Sequence, residues 1–139
     1  MAKTYSNEMT AEMSGDHVIS GVANGRLRRR RATVDLSAQA SGDVVGLCAL
    51  SEGEYFVCGF LTASVSLGTA TVKIGTKEDD DLFRADGVFT TPNVPTPFGT
   101  AASKQSPVAK GGVEVVATVG TAALPASGTL IVDIITAGV

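Results

Sequence analysis

Hydrophobic and polar residues alternate over several short stretches of the chain. Ala32, Val34 and Leu36 alternate with polar residues, and a similar alternation runs over residues 69–75. Alternation with a period of two is typical of a β-strand that buries one face. Both stretches are therefore predicted to be strands.

Near-continuous apolar runs, separated by turn-forming residues, extend this pattern. They occupy residues 44–50, 55–65, 113–119 and 129–136. About seven short strands at roughly 8–12-residue spacing, without a long amphipathic helix, are typical of a sandwich or barrel. We therefore predict an all-β domain over residues 26–139, either a β-sandwich or a jelly-roll-like barrel.

The first 25 residues differ from the rest of the chain. Residues 1–25 are polar, rich in Gly and Ser, and have no sustained period. Such a segment is predicted to be an extended or partly disordered N-terminal arm. Met9 and Met13 are four residues apart, a spacing that one helical turn would produce.

Residues 76–111 interrupt the series of strands. Residues 82–85 are predicted to form a short helical turn. Pro92, Pro95 and Pro97 follow closely, and prolines at this density exclude a central strand and favour an exposed loop or an edge strand. The segment is long for a simple connection, and long connections are often functional or mobile.

Composition indicates a modest core. The chain has 139 residues, 44 % of them hydrophobic, but it has no Trp, five Phe and two Tyr. Small and β-branched side chains bury little apolar area each, at ~25 cal/mol per Å². Association would add the stability that such a core lacks, so composition gives a first indication of an oligomer.

Charge is distributed unevenly along the chain. Residues 1–31 hold six basic and three acidic residues and carry +3, whereas residues 32–139 hold five basic and eleven acidic residues and carry −6. Five arginines lie within six positions, where guanidinium groups suit carboxylate or phosphate partners. We predict that they bind a partner, and an acidic protein neighbour is favoured. The candidate residues are Arg26, Arg28, Arg29, Arg30 and Arg31.

Two other interpretations of the arginines stay open. Nucleic acid would require the basic surface to continue, but the rest of the chain is acidic. A solvated strand edge is the other interpretation. If the run begins the first strand, alternate arginines point to opposite faces, so they cannot all meet one groove of a nucleic-acid backbone.

Catalytic and metal sites are not indicated. His17 is the only histidine, lies in the polar arm, and lacks Cys or carboxylate residues at metal-ligand spacing. Cys48 and Cys58 lie in apolar stretches and indicate buried thiols, with a single disulfide left open. The consecutive acids of residues 78–81 do not match a calcium loop and favour a solvated loop. We expect no enzyme activity and no cofactor.

Targeting signals are also not indicated. No apolar segment follows the first residues as in a secretion signal, and no stretch approaches the ~20 apolar residues of a membrane span. We therefore expect no membrane partner.

Several segments together resemble small structural proteins that decorate or cement the capsids of tailed bacteriophages. They are residues 31–36 (RATVDL), 39–45 (QASGDVV), 62–76 (TASVSLGTATVKIGT) and 120–130 (GTAALPASGTL), which follow the polar arm and the Arg-rich run. The resemblance implies a β-sandwich or jelly-roll-like fold, homotrimers, and the major capsid protein as partner. It also implies synthesis in the host bacterial cytoplasm and a place on the capsid surface of the virion.

Three functions follow as hypotheses. The first is a capsid decoration protein that binds and stabilises the phage head shell. The second is a tail, fibre or baseplate component, in which the Pro-rich residues 91–107 would face the host surface. The third is a nucleic-acid-binding accessory protein that acts through Arg26–Arg31.

Overall fold

Eight antiparallel strands build the body of the protein. The computed structural model describes residues 3–16 and 25–138. Within these residues, one short helix and one 3₁₀ turn (Ala102–Lys104) accompany the strands. The elements are α1 (Asn7–Met13), β1 (Leu27–Asp35), β2 (Val44–Leu50), β3 (Tyr55–Ala63), β4 (Thr71–Gly75), β5 (Arg84–Val88), β6 (Thr96–Phe98), β7 (Val113–Gly120) and β8 (Thr129–Ala137).

The strands form two four-stranded sheets. One sheet has the order β1-β8-β3-β6 and the other has the order β2-β7-β4-β5. The pairs β1–β8, β2–β7, β3–β6 and β4–β5 nest inside one another along the chain, as they do when one long hairpin is rolled up. This is the topology of an eight-stranded jelly roll. The predicted all-β sandwich is confirmed, and the strand order decides for the jelly-roll alternative.

The core lies between the two sheets and consists mainly of small and branched side chains. Strands contribute alternate residues to it, as in the burial of Leu130, Val132 and Ile134 on β8. The largest side chains of this core are those of four phenylalanines, Phe56, Phe83, Phe89 and Phe98. Phe56 lies 4.6 Å from Phe83 and 6.2 Å from Phe98, measured between ring centroids.

Two predictions for residues 76–111 have different outcomes. The predicted helical turn over residues 82–85 is wrong, because Arg84 begins strand β5. Its guanidinium donates to the carbonyls of Val72, Gly87 and Val88 and so ties β5 to β4. By contrast, the prediction of a loop or edge strand for the Pro-rich segment is confirmed. Pro97 lies in β6, which is an edge strand paired only with β3.

Gly59 explains how β6 approaches β3. Its register partner is Phe98, and a Cβ atom at residue 59 would overlap the ring of Phe98. The absence of a side chain therefore lets the ring cover the strand at this point.

Candidate partner interface

The arginine run forms the start of edge strand β1. The strand pairs only with β8, and the register places Arg31 opposite Asp133. The burial pattern shows that even-numbered residues from Ala32 onward point toward the core and odd-numbered residues point outward. The prediction that alternate arginines would face opposite sides is therefore confirmed.

Arg30 is part of a buried ion pair. Its Nη2 atom lies 2.9 Å from Oε1 of Glu54, a side chain with no exposed surface. The other carboxylate oxygen of Glu54 accepts a hydrogen bond of 3.0 Å from the backbone N–H of Ser51. Arg28 adds a longer contact of 3.7 Å to the same Oε1. These contacts give Arg30 a role in holding β1 to the start of β3.

Arg31 forms a second ion pair on the opposite, outward face. Its Nε donates to Oδ1 of Asp133 at 2.8 Å, and its Nη2 donates to Oδ2 at 3.2 Å. This two-pronged geometry is the favoured arrangement of Arg with a carboxylate. The hydrogen bond and the charge of Asp133 raise the pKa of Arg31. The pair connects β1 to β8 across the strands.

Two arginines of the run stay available to a partner. Arg26 and Arg29 are exposed, and among the side chains that the structure describes no carboxylate lies within 4.0 Å of their nitrogens. The five predicted site residues therefore divide into two groups. Arg28, Arg30 and Arg31 contact acidic residues of the body, whereas Arg26 and Arg29 face solvent.

The described part of the arm contains helix α1. Ser6 caps it by accepting a hydrogen bond of 3.2 Å from the N–H of Met9. Tyr5, Met9 and Met13 follow one another at intervals of four residues and are 44 %, 45 % and 62 % exposed. Met9 and Met13 lie in the helix that their spacing allows, so the favoured prediction of an extended arm is wrong for residues 7–13. Together with Tyr5, just before the helix, they form an exposed apolar stripe. His17 lies outside the described residues.

The acidic loop between β4 and β5 is exposed. Oxygen atoms from Asp79, Asp80 and Asp81 lie within 4.8 Å of one another. Lys73 pairs with Asp80 at 2.9 Å. A hydrogen bond with Asp81 raises the pKa of Asp79, and burial and like charge add to the shift. Exposed acidic groups of this kind are common without an ion, and the predicted solvated loop fits their exposure.

Sequence reasoning missed two features. Glu54 lies in a segment with the composition of a hairpin turn, so its burial beneath Arg30 had no sequence signal. A cleft of about 610 Å³ also went unnoticed, with Phe56 and Phe83 at its base and Lys77 and Lys110 among its lining residues. It forms between two connections that are distant in sequence, which no local pattern reveals.

The two cysteines occur as free thiols on different sheets. Cys48 belongs to β2 and Cys58 to β3. Burial raises the pKa of the Cys48 thiol, and the nearby charge of Arg30 opposes that shift. A raised pKa lowers the thiolate population and with it the reactivity of the thiol.

None of the helices within the described residues is long and apolar enough to span a membrane. No protein-family model and no curated protein sequence matches the chain. Solved structures do match it, and all three reported below are phage capsids.

A chain of the cyanophage Pam1 capsid asymmetric unit matches with a TM-score of 0.68 and 15 % identity, over 98 % of this chain and 93 % of that chain. A chain of the capsid of Ralstonia phage GP4 matches with a TM-score of 0.69 and 16 % identity, over 83 % and 86 %. A chain of the acidic stable capsid structure of Helicobacter pylori bacteriophage KHP30 matches with a TM-score of 0.53 and 16 % identity, over 81 % of this chain and 94 % of that chain. At this identity, the likeness establishes a shared fold.

Proposed function

We propose that this chain is a structural protein of a bacteriophage virion and, more specifically, a decoration or cement protein that binds the assembled head shell. One observation carries the proposal: its jelly roll is shared with chains from three phage capsids, over at least 81 % of this chain in each case. The expected resemblance to phage structural proteins thus has independent support in the fold.

The arm supplies a means of attachment. Exposed apolar residues that form a continuous stripe mark interaction surfaces, because their transfer out of water is favourable. Met9 and Met13 on α1, with Tyr5 just before it, form such a stripe. We propose that this stripe packs against the major capsid protein.

Arg26 complements that apolar contact. It is exposed at the junction between the arm and β1, and its guanidinium suits carboxylate groups of an acidic neighbour. Charged groups at the rim of an interface guide association and orientation more than they add affinity.

The proposal includes a non-catalytic role, a homotrimeric state and a position on the capsid surface. The trimer and the surface position come from the resemblance to decoration proteins. A shell protein acts by burying surface between subunits, so the role requires no nucleophile, metal or cofactor.

Location within the virion separates this proposal from a role in the tail. Cryo-electron microscopy of the virion is expected to show the jelly roll as repeated density over the head. Density found only at the tail, fibre or baseplate would overturn the proposal in favour of a host-attachment role for the Pro-rich residues 91–107.

A further inference from the structure

The free edge of β1 differs from the other three sheet edges. It is nine residues long and follows a regular register with β8 throughout. Edge strand β2 is interrupted by a register shift after Gly46, β5 has five residues, and β6 has three residues including a proline. Long regular edges are the ones that add a further strand.

The backbone hydrogen bonds show which groups of β1 are available. The N–H of Leu36, just beyond the strand, donates to the carbonyl of Gly128 at 2.9 Å. In an antiparallel ladder, residues alternate between bonding to one neighbour and facing the other side. Even-numbered residues of β1 therefore bond to β8, and the N–H and C=O groups of odd-numbered residues face the open edge. Of these, the carbonyl of Asp35 accepts a bond of 3.2 Å from Gln39.

We propose that the open edge of β1 pairs antiparallel with β1 of a second copy of this chain, about a two-fold axis at Ala32. In this register Arg29 lies opposite Asp35 of the second copy, and the same pair recurs on the other side of the axis. Arg31 lies opposite Thr33. The two sheets then join into one continuous sheet of eight strands.

Charge complementarity favours this register over those centred on Arg30 or Arg31. The register centred on Thr33 would instead place Arg31 opposite Asp35, but Arg31 already pairs with Asp133 within the chain. Arg29 and Asp35 are both exposed, and within the described residues neither has a side-chain ion partner within 4.0 Å. A shift that centres the axis on Arg31 places that arginine opposite itself. The next shift places Arg29 opposite Arg31. Like charges directly opposite each other destabilise a strand pair.

Side-chain size agrees with the same axis. Ala32 lies opposite its own copy at a non-hydrogen-bonded position, where antiparallel strands bring side chains closest together. Its small side chain accommodates that approach. Arg28 and Arg30, which turn toward Glu54, face Leu36 and Val34 of the second copy and therefore meet no like charge.

This inference deepens the proposed function, on which it rests for its setting in the virion, by naming the partner of Arg29. A two-fold edge contact uses a different surface from the arm, so it is compatible with proposed trimers and would connect them. For Arg29, the acidic partner predicted from the sequence is then Asp35 of a second copy of the same chain.

A charge-reversal experiment on the full chain tests the contact. Arg29→Asp and Asp35→Arg are purified separately, and particle mass is measured by sedimentation equilibrium at low salt. Each variant alone is expected to lower the mass of the parent particle at least twofold, because like charges now face each other twice. Mixing the two variants is expected to restore the parent mass, since a mixed pair regains both opposite-charge contacts.

Matched controls separate this contact from general charge effects. Lys110→Glu and Glu78→Lys make the same charge changes at exposed positions away from β1 and are expected to leave the mass unchanged. Circular dichroism reports whether every variant keeps its strands. The inference would be overturned if both β1 variants kept the particle mass of the parent, or if their mixture failed to re-associate. Binding to shells tests the proposed function separately.

Discussion

The burial of the Glu54 carboxylate depends on its ion pair with Arg30. Its carboxylate has no exposed surface and is compensated by Arg30, by Ser51 and more distantly by Arg28. A buried charge without its partner costs several kcal/mol. The ion pair therefore fixes β1, the strand that carries the arm, to the rest of the body.

Replacing Arg30 tests that role. Arg30→Ala is expected to lower the free energy of unfolding by about 3 kcal/mol, because it leaves the carboxylate of Glu54 buried with only a distant cation. Urea denaturation measures the change. Lys110→Ala removes an exposed cation away from β1 and is expected to stay within about 0.5 kcal/mol of the parent. Equal losses in the two variants would contradict the assignment.

The acidic loop gives a pH-dependent prediction. The pKa of Asp79 is raised, chiefly through its hydrogen bond with Asp81, so the folded state penalises the ionised form. That penalty is absent well below the ordinary aspartate pKa of about 3.9 and develops as pH rises through the raised value. Asp81→Asn removes the like charge and is therefore expected to raise the melting temperature at pH 7.

The melting temperature of the same variant at pH 3 provides the comparison. Asp79 is then protonated in both the folded and the unfolded chain, so Asp81→Asn is expected to bring no increase. Glu78→Gln, a neutral substitution in the same loop, controls for the general loss of negative charge. An increase of the same size at pH 3 and pH 7 would show that repulsion is not its cause.

Individual residues also show where sequence reasoning reached its limit. The alternation of the arginines followed from strand geometry and is confirmed. Their partners could not be predicted, because Glu54 and Asp133 are 24 and 102 positions away from Arg30 and Arg31. Pairings at such distances depend on the strand order, which composition and periodicity do not determine.

Most strands could be predicted because their signals are local. Alternation identified part of β1 and β4, and apolar runs identified β2, β3, β7 and β8. Strand β5 was missed because Arg84 and its neighbours lack an apolar alternation. Its place depends on pairing with β4 and on the bond from the Arg84 guanidinium to the carbonyl of Val72, and burial lowers the pKa of that guanidinium. Tertiary contacts here outweigh local preference.

Charges on an exposed edge strand also affect how two copies of the chain associate. The charges that protect an exposed edge from indiscriminate pairing can also specify one register, when opposite charges recur symmetrically. On β1, Arg29 and Asp35 lie at equal distances from Ala32 along the strand. In the proposed dimer, the same residues favour the register centred on Ala32 and disfavour those centred on Arg30 or Arg31.

In the proposed assembly, different surfaces of the whole molecule have different roles. The jelly roll is the folded body, the apolar stripe of Tyr5, Met9 and Met13 is proposed to attach it to the shell, and the edge of β1 is proposed to contact a second copy. A sequence with few aromatic residues gains stability from such contacts, because burial between chains adds to a modest core.

A capsid decoration protein must bind phage shells that lack it. Purified protein is added to expanded phage shells that lack it, and bound protein and the melting temperature of the shell are measured. We expect saturable binding and a higher melting temperature of the shell. Met9→Ser with Met13→Ser is expected to keep the body folded but to weaken binding, whereas Lys110→Gln is expected to bind as the parent does. Absence of binding by the folded parent protein would contradict the account.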